Sequence, residues 1–295
     1  MNDEIIIIDQ TYKYEVDEIV KGGIGYVRLM TLKELSRRPP ASERLPESLE
    51  RKYPYRNQLA AKTINDRESM HSFAKACELW CELNDTGIVP LLKTIKIGDE
   101  VLALMPRCAG NLRTLMQSNS HTPRELLKAL NPVIVSLSKV YAECGLVHQA
   151  VKPENVLYCY HNQNLVLELS DWGIADVQAS LLPYAKSERI RVLGDFRMHP
   201  YMAPERFLNY ISDLRADIFS LGVIFFEILT GCLPYKDEKR ITPQIASGEY
   251  YDNIEVMLRG IADDKVIKLL IWMLHPEADK RLQDYGDILA LIECV

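Results

Sequence analysis

Two short polar clusters set at the ends of an apolar hairpin constrain this chain more than any other feature. They lie between Gly145 and Ala175, in GLVHQAVKPENVLYCYHNQNLVLELSDWGIA. The first cluster is His148-Gln149-Ala150-Val151-Lys152-Pro153-Glu154-Asn155 and the second is Asp171-Trp172-Gly173. Between them, Val156-Leu157-Tyr158 and Leu165-Val166-Leu167-Glu168-Leu169 bracket a polar His161-Asn162-Gln163-Asn164 turn, the pattern of a β-hairpin. The polar groups therefore sit at strand ends, where a hairpin can project them into a cleft. A Lys, an Asn and an Asp brought together in this way suit a metal–phosphate site. Oxygens of Asn155 and Asp171 can hold Mg²⁺, and a lysine can offset phosphate charge.

The chain has 295 residues, enough for one large domain or two small ones. Its net charge of −6 supplies no basic excess to meet nucleic-acid phosphates, so no nucleic-acid partner is expected. Seven cysteines form no tight framework, and free thiols fit a reducing cytosol. Cys77 and Cys81 lie four apart on an expected helix, but no second ligand pair stands nearby, so they read as packing residues. The opening MNDEIIIIDQ has only four consecutive apolar residues and an acidic flank; it reads as neither signal peptide nor membrane span. A cytoplasmic protein without membrane contact is the expectation. The sequence carries no signal for oligomeric state.

Strands are expected at Ile5–Ile8 and Tyr12–Val20, which are β-branched and aromatic-rich, and at Tyr26–Met30, Leu59–Ile64, Ile88–Ile97 and Val101–Met105. A tight turn, Lys21-Gly22-Gly23-Ile24-Gly25, joins the second and third. Residues 32–57 are polar and proline-bearing, with little to bury, and read as an exposed insertion. Arg67–Asn84 carries Phe73, Ala76, Leu79, Trp80 and Leu83 at helical spacing. Helices are expected at Leu112–Gln117, Pro123–Glu143, Asp213–Thr230, Pro243–Ser247, Glu255–Leu258, Asp264–Leu274 and Leu282–Cys294. Ile218–Leu229 is apolar nearly all round, so its helix belongs at the centre of a domain. Pro106–Gly110 is a turn-rich connector between the strand-rich and helix-rich parts.

HQAVKPEN and DWG resemble the H-R-D-L-x-x-x-N and D-F-G signatures of the eukaryotic-type (Hanks-type) protein kinases. The resemblance runs in order from about Tyr12 to Leu291. It implies an α+β, bilobal fold in one kinase domain spanning 1–295. The small β-rich N-lobe would be 1–106, with its polar insertion at about 32–57, and the larger helical C-lobe 107–295. It implies ATP with Mg²⁺ (or Mn²⁺), and a protein substrate or regulated partner protein. Val20, Gly22, Gly23, Gly25 and Val27 match the glycine-rich loop, with Val20 in place of its first Gly. Ala60 and Lys62 match V-A-I-K, whose Lys contacts the phosphates. Leu104 falls at the gatekeeper, Met105 to Arg107 at the adenine-binding hinge, and Leu157 on the cleft floor. Lys152 matches the substrate-side Lys, and Asn155 and Asp171 the metal ligands. His148 and Asp217 match groups that brace the catalytic loop. Glu205, in Tyr201-Met202-Ala203-Pro204-Glu205, and Arg281 match a buried pair of the lower lobe, which sets the chain apart from small-molecule kinases of related fold. The Lys152 pattern is that of the Ser/Thr type.

Several positions depart from the pattern. Ala150 stands where the family has its catalytic Asp, Ala76 where the helix Glu pairs with the strand Lys, Gln149 where an Arg grips a phosphorylated loop, and Met198 where a Thr is common. Glu78 could stand in for Ala76 only through a shift of register, because two residues turn a helix by roughly 200°. Without Arg at 149, control by phosphate on the 176–200 loop (Ser180 or Ser187) would need another anchor, such as Arg189, Arg191 or Arg197. The catalytic-loop Asp orients the attacking oxygen and takes its proton, neither of which alanine can do. A lost base costs about 10²–10⁴-fold. Two histories fit: a Ser/Thr kinase inactivated by Ala150, or a natural pseudokinase acting as a nucleotide-binding scaffold or regulatory module.

Overall fold

The computed structural model describes residues 5–8, 12–22, 25–35, 57–173, 200–208, 213–235 and 241–294. Gly23, the bulk of the expected insertion, and the 176–199 stretch with Met198 and its serines and arginines lie outside the described residues.

Among the described residues, six strands form one antiparallel sheet in the order β1-β2-β3-β4-β6-β5. They are β1 (Ile5–Ile8), β2 (Tyr12–Lys21), β3 (Gly25–Leu35), β4 (Gln58–Ile64), β5 (Lys93–Ile97) and β6 (Glu100–Pro106). β3 runs further than its apolar residues suggest, because Glu34 and Leu35 pair with Lys13 and Tyr12. Residues 32–35, expected in the insertion, are thus strand. Alternation divides the sheet into two faces. Tyr14, Met30, Leu59, Ala61, Leu102 and Leu104 form an outer cluster. Ala60, Ile64, Val101, Ala103 and Met105 face inward, onto helix α1 (Met70–Glu82). That helix contributes Phe73 and Trp80, both 0% exposed; each is worth about 1.5–3 kcal/mol of burial.

The strand expected from Ile88 shrinks to Lys93–Ile97, since Pro90 offers no N–H to a ladder. Its first residues serve a different partner. Ile88 bridges Leu169, Val89 N–H donates to Leu169 O (3.1 Å), and Leu169 N–H donates to Gly87 O (2.8 Å). Trp80 Nε1 also donates to Val89 O at 2.7 Å, so the end of α1 is tied to the lower hairpin.

Beyond Pro106 helices dominate. A three-stranded sheet, β7 (Gly110–Asn111), β8 (Val156–His161) and β9 (Asn164–Leu169), carries the expected hairpin. Its turn residues Asn162 and Gln163 have φ of 50° and 69°, the two positive values a type I′ turn requires. The helices are α2 (Leu112–Ser118), α3 (Pro123–Ala129), α4 (Asn131–Cys144), α5 (Pro204–Leu208), α6 (Leu214–Thr230), α7 (Ile241–Ser247), α8 (Ile254–Leu258), α9 (Asp264–Met273) and α10 (Gly286–Cys294). The single helix expected over 123–143 is divided at Leu130, where Pro132 cannot donate to a continuing helix. α6 is buried from Ala216 to Ile228, as its apolar circumference requires, and ends on Gly231 at φ 74°. Among the described residues no helix is long and apolar enough to cross a membrane.

Candidate functional site

The site forms where the inward face of β4 meets the ends of β8 and β9. Val156 pairs with Leu169, so Asn155 and Ser170 stand next across the hairpin. Ser170 N–H and Oγ both donate to Asn155 O at 2.9 Å, and the two polar clusters are thereby stitched together. Asp171 follows at φ 71°, a left-handed conformation uncommon for a residue with a Cβ. From there its Oδ2 accepts a charge-assisted hydrogen bond from Lys62 Nζ on β4. Asn155 and Asp171 are each 8% exposed. Asn155 Nδ2 donates to Ala150 O at 2.9 Å, which leaves Oδ1 as the atom the amide can offer a ligand.

His148 braces this arrangement from beneath. Its Nε2 faces Ser170 O at 2.9 Å and must therefore carry the proton, while Nδ1 accepts from Ala150 N–H at 3.2 Å. The ring is fully buried, 4.8 Å edge-on from Trp172, and burial pushes its pKa down to about 4. Asp217 on α6 accepts the N–H groups of His148 (2.8 Å) and Gln149 (2.7 Å). Burial in this case pushes the carboxyl up to about 7. Gln149 is held at φ 62°, its carbonyl taken by Arg206, and Ala150 beside it is 5% exposed.

The residues that the resemblance assigns to the nucleotide side lie as follows. Gly22 N–H donates to Gly25 O (2.7 Å) and closes the turn. A Cβ at Gly25 would lie 1.9 Å from Thr63 O, so β4 admits only glycine there. Val20 is exposed, while Val27 and Leu157 are half-buried against the inner core. Ala60 and Lys62 pair with Met105 and Ala103 across β6. Leu104 pairs with Ala61, and its side chain belongs to the outer cluster, on the opposite face from Lys62. The gatekeeper assignment is corrected accordingly, because side chains alternate along β6 and those on the same face as Lys62 are Ala103 and Met105. At the expected hinge, Pro106 has no N–H, and Arg107 N–H already points to Gln58 O (3.4 Å). The Arg107 side chain spans to Asp17 on β2 at 2.6 Å. Lys152 is half-buried in the turn leading to Asn155.

Helix α1 brings no acid to Lys62. Ala76 is buried directly over Gly173: a Cβ added to Gly173 would stand 3.3 Å from both Ala76 Cα and Cβ. Glu78 is exposed to solvent and does not replace it. The lower lobe has the pair implied by resemblance, with Arg281 Nη1 and Nη2 on Glu205 at 2.8 and 3.0 Å. A second network was not foreseen. Arg113, on the first turn of α2, donates to Glu227 (2.6 Å), Glu154 (3.1 Å) and the Tyr201 hydroxyl, which itself donates to Glu227 (2.5 Å). Its partners lie far apart in the chain, so no spacing pattern could have announced it.

The donor set can be weighed against a divalent cation. Hard cations take oxygen ligands, and Mg²⁺ is commonly held by one or two carboxylates together with substrate phosphates. Asp171 and the Asn155 Oδ1 match that chemistry, but they complete a shell only with a ligand's oxygens. Among the described residues no group of three or more His, Cys, Asp and Glu side chains could hold a metal.

An antiparallel sheet lobe over a helical lobe, with Lys62, Asn155 and Asp171 converging between them, defines a protein-kinase-like α+β fold. The family of protein kinase domains matches residues 51–289, and the chain belongs to it. Among curated proteins it is 26% identical over 252 residues to serine/threonine-protein kinase PknD of Chlamydia pneumoniae, covering 77% of this chain and 25% of that one. It is 26% identical over 218 residues to human serine/threonine-protein kinase H2, covering 70% of this chain and 53% of the other. The chain thus spans about a quarter to a half of the length of these relatives. The crystal structure of Rad53 1-466 in complex with AMP-PNP superposes with a TM-score of 0.66 at 17% identity, over 95% of this chain and 64% of that one. That likeness is one of fold.

Proposed function

We propose that the chain is an ATP-binding member of the Ser/Thr protein kinases whose phosphoryl transfer to protein Ser or Thr is nearly silent. One observation carries this reading. Lys62, Asn155 and Asp171 converge at the hairpin ends, while position 150, in the same loop, presents a methyl group. Residues 1–106 and 107–295 act as two lobes of one cytoplasmic domain. Lys62 meets the nucleotide phosphates, Val27, Ala60, Met105 and Leu157 contact the base, and the hinge from Met105 to Arg107 offers backbone carbonyls. Where a divalent cation accompanies the nucleotide, Asn155 and Asp171 would hold it, and it would supply charge neutralisation to the phosphates. Lys152 lies on the protein-substrate side. Nothing at 150 accepts the hydroxyl proton, so the step that fails is activation of the attacking oxygen.

A pseudokinase that scaffolds or regulates a partner protein is the second reading, and Ala76 favours it. Its seal over Gly173 is a separate loss that a change at position 150 would not bring. Radiolabel transfer from ATP distinguishes the two. Ala150→Asp should restore transfer to Ser or Thr by about 10²–10⁴-fold, and Asp171→Ala should abolish the gain. No transfer by a folded, ATP-binding Ala150→Asp protein rejects the kinase reading and leaves the scaffold.

A further inference from the structure

The charges of the cleft point to a nucleotide site that does not depend on a divalent cation. We propose that this chain binds the nucleoside triphosphate about equally well with Mg²⁺ and without it, with lysines replacing the cation as the main partners of the phosphates. The inference rests on the nucleotide-binding reading above and specifies the form of the ligand.

Four positions meet where β4 reaches the hairpin ends: 62, 150, 155 and 171. Only one of them carries a carboxylate, Asp171, and its Oδ2 is already bonded to Lys62 Nζ. The pair is largely withdrawn from water, with side chains 15% and 11% exposed, so neither charge is well screened. Helix α1 adds no negative charge, because Ala76 closes over Gly173 and Glu78 faces solvent. Ala150 is neutral, and Lys152 contributes a second positive charge three residues before Asn155.

Two consequences follow. A dication entering beside Asp171 would meet a carboxylate whose charge is already offset and an ammonium in contact with it, while giving up water that Mg²⁺ releases reluctantly. Conversely, a bare triphosphate meets no unpaired carboxylate among these positions. A cation elsewhere serves to shield phosphates from such carboxylates, and here that repulsion is absent. Lys62 has three N–H donors and gives one to Asp171, so it can keep that bond and still donate to the phosphates.

The test uses the full chain with ATP as the probe. Isothermal titration and the shift in melting temperature are read in EDTA and in MgCl₂ at matched ionic strength. The dissociation constants should agree within about threefold. Lys62→Ala should weaken binding by about tenfold or more in both buffers. Asp171→Asn removes a negative charge beside the phosphates and should tighten binding in EDTA by about threefold or more; it nearly preserves shape, and its own melting curve reports folding. A loss of more than threefold on adding EDTA, or EDTA binding no tighter in folded Asp171→Asn, overturns the inference while nucleotide binding itself stands. No binding by the parent chain in either buffer rejects the nucleotide reading as well.

Discussion

Acidification should weaken the fold through His148, and the size of the effect can be worked out from its contacts. Both ring nitrogens are committed: Nε2–H donates to Ser170 O and Nδ1 accepts from Ala150 N–H. A second proton would have to enter at Nδ1, breaking that bond and setting one N–H against another in a fully buried place. The folded pKa is accordingly about 4, against 6.5 when exposed. A lowered pKa means that the unfolded chain takes the proton first. The stabilisation from a neutral His148 is therefore present above pH 6.5 and is lost as pH falls towards 4. Between pH 7 and pH 5 the loss is about 2 kcal/mol. Asp217, raised to about 7 against 3.8 unfolded, acts in the opposite sense: its folded form takes the proton first and gains stability as pH falls below 7. The parent's slope alone is for that reason a poor readout. His148→Gln keeps an amide N–H for Ser170 and removes the titration. Urea unfolding of both proteins at pH 7 and pH 5 should show the parent losing about 2 kcal/mol relative to the variant. A relative change below about 0.5 kcal/mol would refute the buried, proton-excluding geometry.

Arg281→Ala should cost about 3–5 kcal/mol by stranding Glu205, with Arg281→Lys little better because a single ammonium cannot reproduce the fork or the contact with Phe219. Urea midpoints check both; a loss under about 1 kcal/mol for Arg281→Ala would show the pair to be dispensable. Ala76→Glu should not restore a partner to Lys62, because the space over Gly173 is already filled; overpacking should instead destabilise by about 1–3 kcal/mol. A double variant with Ala150→Asp that transfers phosphate faster than Ala150→Asp alone would show that α1 can move to admit the acid.

Much of the site was legible because its chemistry is local in sequence. HQAVKPEN, the hairpin and DWG lie within one stretch, so the turn at Asn162-Gln163 suffices to bring Asn155 beside Ser170, the residue before Asp171. The apolar circumference of Ile218–Leu229 likewise determined a buried central helix without reference to any neighbour. Three matters depended on tertiary structure. Leu104 had the apolar character and place of a cleft residue, but the pairing of β6 with β4 turned it to the outer face. A shift of one residue exchanges the faces of a strand, and the composition of an apolar run does not record that choice. Ile88 looked like strand, yet its partner proved to be Leu169 of the lower hairpin rather than the upper sheet. The partner of Lys62 was open between an acid on the helix and none; packing of Ala76 on Gly173 decided it, and Asp171 took the lysine. In each case the residue type was written in the chain. Its partner was settled by contacts between segments distant in sequence, whose energies depend on register, facing and separation rather than on spacing along the chain.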